Sequence, residues 1–255
     1  MIEQSAVLVL RDGPIPYLVR RTPRSRRLRV TIHPEQGVIV SLPPRSRRGW
    51  SNAEGLIESF LQEREGWLRR HLADLERQRT RIAHRGGLRD GATLRFRGDL
   101  HWLRITSSDA ARSTVSRDGT DEADELVVTL AAADRRPVGD VLRDWLKDRA
   151  RIAIEREIGI HAEPLRATPS AVTLRDPRTR WGSASREGRL SFSWRLVLAP
   201  AEALETVVVH ELAHLRYFGH GPRFWALVAS RRPDHRDWRR WLREHSLELH
   251  TALET

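Results

Sequence analysis

The 255-residue chain has no cysteine, a single methionine (Met1), a single lysine (Lys147) and no long apolar run. Without cysteine there is no disulfide framework and no thiolate cage, so a bound metal would need nitrogen and oxygen ligands. The longest apolar stretch near the start, Val7-Leu8-Val9-Leu10, is closed by Arg11 and Asp12. A bilayer span needs about 20 apolar residues, and no small-residue cleavage site follows. Neither a membrane anchor nor a secretory leader is expected, and the default setting is cytoplasmic. Lysine is scarce because arginine replaces it: Lys147 is one of 45 basic residues, set against 34 acidic ones for a net charge of +11. Guanidinium groups suit phosphate- and carboxylate-bearing partners. Arginine used so uniformly reads first as a compositional bias on a solvated surface, and only second as a polyanion-binding face.

With 39% hydrophobic and 31% charged residues, the chain has a globular composition and is long enough for a sizeable core. Segments 6–10, 16–21, 27–33 and 37–42 read as strands separated by Gly- and Pro-containing turns. Within them, Arg27 to Ile32 alternates polar and apolar, as in a sheet with one wet face. Ser51, with Glu54 three residues on, predicts the capping box of a helix running over 51–79. Its apolar stripe is Leu56, Ile57, Phe60, Leu61, Trp67, Leu68, Leu72 and Leu75. After a turn at Gly86-Gly87, strand signals return at 93–97, 100–106, 111–117 and 125–130, and the acidic stretch Asp118 to Glu125 reads as an exposed hairpin loop. A helix is expected over 138–158 and strands over 171–175 and 189–198, with Arg180 to Ser183 as a turn. Helices near 201–217, 222–231 and 235–248 finish the chain. No internal repeat is apparent. A seam over 132–138 divides a β-rich region, 1–135, from a metal-binding region, 136–255.

The chemistry concentrates in Val207-Val208-Val209-His210-Glu211-Leu212-Ala213-His214. Positions i and i+4 of a helix share a face, so two imidazoles can converge on one ion. Glu211, next to the first histidine, can then exchange a proton with a metal-bound water. His220 follows five residues after His214, amid Gly219 and Gly221-Pro222, which let the chain fold it back. Three histidines leaving one open position is the pattern of catalytic zinc, although such a set also tolerates cobalt or manganese. The bland alternative is that His210 and His214 satisfy core hydrogen bonds. Metzincins share this spacing, but they require glycine where Tyr217 stands and a downstream methionine turn, and Met1 is the only methionine.

Four stretches resemble the YgjP-like metallopeptidase-domain family, predicted zincin-like metal-dependent hydrolases. They are Tyr17 to Arg21 with Arg26 to Val30, Arg178 to Ser185 (T-R-W-G-S-C-S in the family), Ser193 to Pro200 (N-W-R-L-v-l-a-P), and His210 to Trp225 (H-E-L-x-H-x(5)-H-x(3)-F-W). This chain departs from the pattern at Ala184, Ser193 and Gly219, none of which removes a metal ligand. The resemblance implies an α+β, zincin-like fold, with a small sheet packed on an active-site helix. It also implies Zn2+ on His210, His214 and His220, and Glu211 as catalytic acid/base.

Around that centre, Arg180 and Trp181 read either as a turn with a packed indole or as part of a substrate pocket. Ser193 reads as support for the site or as a surface serine. Strand 189–195 is the candidate edge for an extended peptide. Phe224, Trp225, Trp238 and Trp241 read as core, and His235, His245 and His250 as ordinary surface histidines. Three functions stay open. The first is a metallopeptidase, in which water on zinc, deprotonated by Glu211, attacks a peptide carbonyl of a peptide or protein substrate. The second is a nucleoside triphosphate (UTP) pyrophosphatase, an activity with which some relatives are labelled. The third is a nucleic-acid-associated module with Arg20, Arg21, Arg24, Arg26, Arg27, Arg29, Arg45, Arg47 and Arg48 as its footprint.

Overall fold

The computed structural model describes residues 3–10, 13–23, 25–33, 36–50, 53–83, 87–120 and 123–254. The chain divides into two compact units, Met1–Thr80 and Arg81–Thr255.

In the first unit, β1 (Glu3–Leu10) and β2 (Gly13–Arg21) form a hairpin. A third strand, β3 (Arg29–His33), and a fourth, β4 (Gly37–Leu42), complete a sheet of order β1-β2-β4-β3, with β2 and β4 parallel. The polar–apolar alternation of 27–33 belongs to the outer strand β3, and the nearly continuous apolar run Val38-Ile39-Val40 to a covered inner one. The helix expected over 51–79 is two helices, α1 (Glu54–Gln62) and α2 (Glu65–Ala83). The ladder breaks where Arg64 N–H turns back to Leu61 O (3.1 Å), and it restarts with Leu68 N–H on Arg64 O (2.9 Å). The expected cap, Ser51, lies outside the described residues. Ala53 occupies the N-cap without a side-chain bond, so Glu54 completes no capping box. The stripe survives the break: Ile57, Leu61 and Leu68 are buried with Leu8, Ile15, Val38, Val40 and Leu42, while Leu56 faces outward.

The second unit begins with β5 (Thr93–Phe96), β6 (Asp99–Ser108), β7 (Thr114–Thr120) and β8 (Ala123–Ala131), in the order β5-β6-β8-β7. Strand order and directions repeat those of the first sheet, since β6 and β8 are parallel and both flanking pairs antiparallel. Each sheet leads into a helix, so the chain contains a repeated ββββα topology with no counterpart visible in the residues. The acidic stretch is strand on both arms, with Asp118 opposite Glu125 and Gly119 opposite Asp124. Arg117 (2.7 Å from Asp124) and Arg104 (paired with Glu125) offset the carboxylates and permit the pairing.

Helix α3 (Val138–His161) lays Val141, Leu142, Leu146, Ala150 and Ile154 into one core with β5, β6, β8 and the metal helix. That shared core is why the units part near Thr80 and not at 132–138. Beyond α3 come β9 (Ala171–Arg175), β10 (Gly182–Ala184) and β11 (Arg189–Ser193), then a 3-10 helix, Trp194–Leu198, where strand was expected. Arg195 explains that turn: it is 9% exposed, holds Asp176 through two guanidinium nitrogens (2.6 and 3.2 Å), and bonds Leu249 O at 3.2 Å. Gly182 and Ser183, expected in a turn, are strand. The sheet order is β10-β11-β9, so β11 is central and paired on both sides. Strand 189–195 therefore offers no free edge to a peptide. Helices α4 (Ala201–His214), α5 (Pro222–Arg231), α6 (His235–Glu244) and α7 (Ser246–His250) complete the unit, α6 and α7 replacing the single helix expected over 235–248. No described helix is long and apolar enough to cross a membrane.

Candidate metal centre

Helix α4 is buried on nearly every side through Val207, Val208, Val209, Leu212 and Ala213. Its β-branched residues are poor helix formers in isolation, and tertiary burial overrides that preference. His210 and His214 share one face, a turn apart. Past the helix end, Arg216 N–H and Tyr217 N–H both return to Ala213 O, and α5 starts with Gly221 as N-cap and Pro222 at its first position. The reversal brings His220 Nε2 to 3.2 Å from His210 Nε2, and the ligand atoms of all three histidines lie within 4.8 Å of one another. Two nitrogens on a tetrahedral ion with bonds of about 2.0–2.1 Å sit about 3.3 Å apart. The observed spacing fits a single cation.

The second ring nitrogens support this fit. His214 Nδ1 lies 3.1 Å from Tyr217 O, where it donates a proton and leaves Nε2 as a free lone pair. Burial, together with the neighbouring His214 and His220, pushes His210 down to about 3; burial also lowers His214. Both rings are therefore neutral at ordinary pH, as metal ligation requires. Phe224, fully buried, packs its ring 4.9, 4.5 and 4.8 Å from those of His210, His214 and His220. The core role expected for it thus extends to holding all three imidazoles in place.

Glu211 is 5% exposed, and burial pushes its carboxyl up to about 8, with Arg180 pulling the other way. Among the described residues no basic group lies within ion-pair distance of it, so a divalent ion on the histidines would be the charge that favours its ionised form. Room for it comes from β10. A Cβ on Gly182 would stand 2.6 Å from both Glu211 Cγ and Oε1, a distance no side chain could accept. The glycine in the Arg-Trp-Gly-Ser stretch is there for the glutamate.

A cavity of about 290 Å³ opens beside the histidines, lined by Arg180, Trp181, Gly182, Thr206, Val207, His210, Glu211, Arg239, Leu242 and Arg243. Arg180 and Trp181 both line it. Ser193 does not: it is fully buried, accepts from Arg195 N–H at 3.3 Å as cap of the 3-10 helix, and donates its own N–H to Trp181 O at 2.8 Å. It positions Trp181 from behind. Three histidines read as surface residues are instead packed against indoles. His235, 5% exposed, stacks on Trp225 at 5.2 Å, His245 on Trp241 at 4.0 Å, and His250 on Trp181 at 4.7 Å. Burial, then Arg195, pushes His250 down to about 4. Arg239, Arg243 and Thr206 escaped the sequence reading. The signal for the arginines is their i, i+4 spacing on α6, hidden among so many others.

A second histidine–carboxylate group has comparable spacing: Glu157 and His161 on α3 with Glu205 on α4. Its groups are already engaged. Arg232 Nη1 lies 2.6 Å from Glu205, and Arg231 Nε donates to His161 Nδ1 at 3.2 Å. His161 Nε2 faces Glu205 at 3.0 Å and Glu157 at 3.7 Å. With Nδ1 accepting, Nε2 carries the ring proton and has no lone pair for a metal. Of the arginines in the proposed nucleic-acid footprint, Arg21 is spent inside its own unit on Pro43 O and Trp50 O, and Arg24 lies outside the described residues.

The model of the YgjP-like metallopeptidase domain matches residues 26–245. The chain belongs to that family. No curated protein and no solved structure matches it. Membership makes the chain a metal-dependent hydrolase in general terms, and His210, His214 and His220 are where a metal could be sought.

Proposed function

We propose that this YgjP-like protein is a zinc-dependent metallopeptidase, with His210, His214 and His220 as ligands and Glu211 as the catalytic acid/base. The observation that carries the reading is the convergence of three histidines with Glu211 lodged against Gly182. Bound there, zinc would polarise the scissile carbonyl and acidify the attacking water. Glu211 accepts the proton of that water and returns it to the leaving amine. Burial helps, because a carboxyl lifted toward neutral pH both takes and gives a proton readily. Tyr217 O keeps His214 in the ligating tautomer, and Gly182 keeps the glutamate from being displaced. An all-histidine donor set favours this chemistry over a triphosphate clamp, for which oxygen-ligated magnesium is the usual device.

Glu211→Gln tests the proposal. The variant is expected to keep its zinc and lose about 100- to 10,000-fold in turnover on an unfolded protein substrate, measured by peptide release with metal content determined in parallel. Zinc-loaded protein that releases pyrophosphate from UTP and leaves peptides intact would overturn it.

A further inference from the structure

The cavity beside the histidines has a composition that the hydrolytic chemistry does not account for. Three guanidinium groups, Arg180, Arg239 and Arg243, line it, and among the described residues none has a carboxylate within ion-pair distance. Elsewhere in the unit largely buried arginines do find carboxylates, as Arg232 does with Glu205 and Asp234, and Arg195 with Asp176. Arg239 and Arg243 stand one turn apart on α6, where like charges repel, and burial together with Arg243 lowers the Arg239 pKa. Arg239 is held over the Trp225 ring, 4.4 Å from its centroid, which orients the head without neutralising it. Trp181, Val207 and Leu242 supply the apolar part of the wall. A further observation is independent of charge. Thr206, 1% exposed on α4 and part of the lining, has a hydroxyl with no hydrogen-bond partner. A buried unpartnered hydroxyl beside unneutralised cations marks a place built for a polar guest.

We propose that this cavity is a specificity subsite for a carboxylate-bearing residue of the substrate, either an acidic side chain or a free C-terminus, next to the scissile bond. The guanidinium groups take the carboxylate and the apolar wall takes its methylene stem. Because His210 and Glu211 line the same space, a residue seated there has its neighbouring carbonyl at the histidine cluster. The inference rests on the peptidase reading for its placement and on the three arginines for its chemistry.

The test uses zinc-loaded full-length protein and peptides with Glu, Gln or Lys on either side of the scissile bond, each with a free or an amidated C-terminus. Glu peptides are expected to be cleaved with kcat/KM about 10- to 100-fold above their Gln counterparts. If the free terminus is the source, the advantage lies instead with every free-acid peptide over its amide, whatever the side chain; if the side chain is, amidation changes nothing. In the Arg239→Ala/Arg243→Ala variant the Glu-to-Gln ratio should fall toward one, and Arg243→Glu should shift preference toward Lys. Arg151→Ala, on an exposed face of α3, serves as a charge control and should keep the ratio. A second readout is equilibrium binding of the same peptides to zinc-loaded Glu211→Gln protein by calorimetry. Failure of the peptidase reading shows as no cleavage of any peptide, with tight, arginine-dependent binding of the carboxylate peptides retained. Equal binding of Glu, Gln and Lys peptides that amidation leaves unchanged overturns the subsite, as does inorganic phosphate binding more tightly than the carboxylate peptides.

Discussion

Among the described residues of the second unit, two groups bring histidine together with other donor residues at metal-like distances, and they differ in what surrounds the donors. Around His210, His214 and His220 the neighbours are rings and a backbone carbonyl, Phe224 and Tyr217 O, which orient the imidazoles without occupying their outward nitrogens. Around Glu157, His161 and Glu205 the neighbours are guanidinium groups: Arg231 takes His161 Nδ1 and Arg232 takes a Glu205 carboxylate oxygen, which turns the protonated Nε2 toward the carboxylates. Both groups contain an i, i+4 pair on a helix. Metal capacity therefore depends less on spacing than on which lone pairs remain free once every adjacent cation is satisfied. The first group is a ligand set awaiting a charge; the second is a salt-bridged brace between α3, α4 and the end of α5.

The sharpest way to break this contrast is to remove one donor from each. His214→Ala should lose about one zinc per chain together with nearly all turnover, whereas Glu157→Gln should keep both, read by metal analysis of purified protein. Zinc loss in Glu157→Gln with retention in His214→Ala would reverse the assignment. A smaller effect is expected from Gly182→Ala, which disturbs the first group without touching a ligand. The new Cβ, 2.6 Å from Glu211 Cγ and Oε1, must displace the carboxylate or the β10 backbone. Turnover should fall about 10- to 100-fold with zinc retained, and stability by about 1–3 kcal/mol. Wild-type rates in that variant would mean the glutamate position is immaterial.

Much of the centre was legible in the residues because its logic is local. His210, Glu211 and His214 depend only on helical spacing, and His220 on the turn that glycine and proline permit. What stayed hidden depends on tertiary placement. The pairing of β11 on both sides cannot be read from Arg189 to Ser193, because this central strand carries the same polar–apolar alternation as the outer strand β3. Ser193 read as support for the site or as a surface serine, and only the fold shows it buried, with its hydroxyl on Arg195 N–H and its N–H on Trp181 O. His235 and His250 looked like surface residues because polarity says nothing of the indole a ring will stack on. The ββββα repeat was invisible because strand order is carried by long-range pairing and needs no matching residues. Arg239 and Arg243 were lost in a background of arginine, and what sets them apart is the cavity they line.

The subtlest expectation concerns pH and the second group. Burial, then the nearby Glu205, raises the Glu157 pKa above its usual 4.5, against the opposing pull of Arg156, His161 and Arg232. A carboxyl with a raised folded-state value binds more protons folded than unfolded. Its favourable contribution is complete below pH 4.5 and is lost as pH rises through the folded value. At neutral pH the ionised Glu157 is then a cost to the fold. Glu157→Gln, which cannot ionise, should therefore be more stable relative to wild type at pH 7 than at pH 4, measured from urea midpoints at the two values with zinc held constant. The difference is small because the group is partly solvated and arginines stand close by. A variant relatively less stable at pH 7 than at pH 4 would mean that the ionised carboxylate is a net stabiliser. The second group would then be a stronger electrostatic brace than burial allows, and its contrast with the histidine centre would lie in pairing strength as well as in free lone pairs.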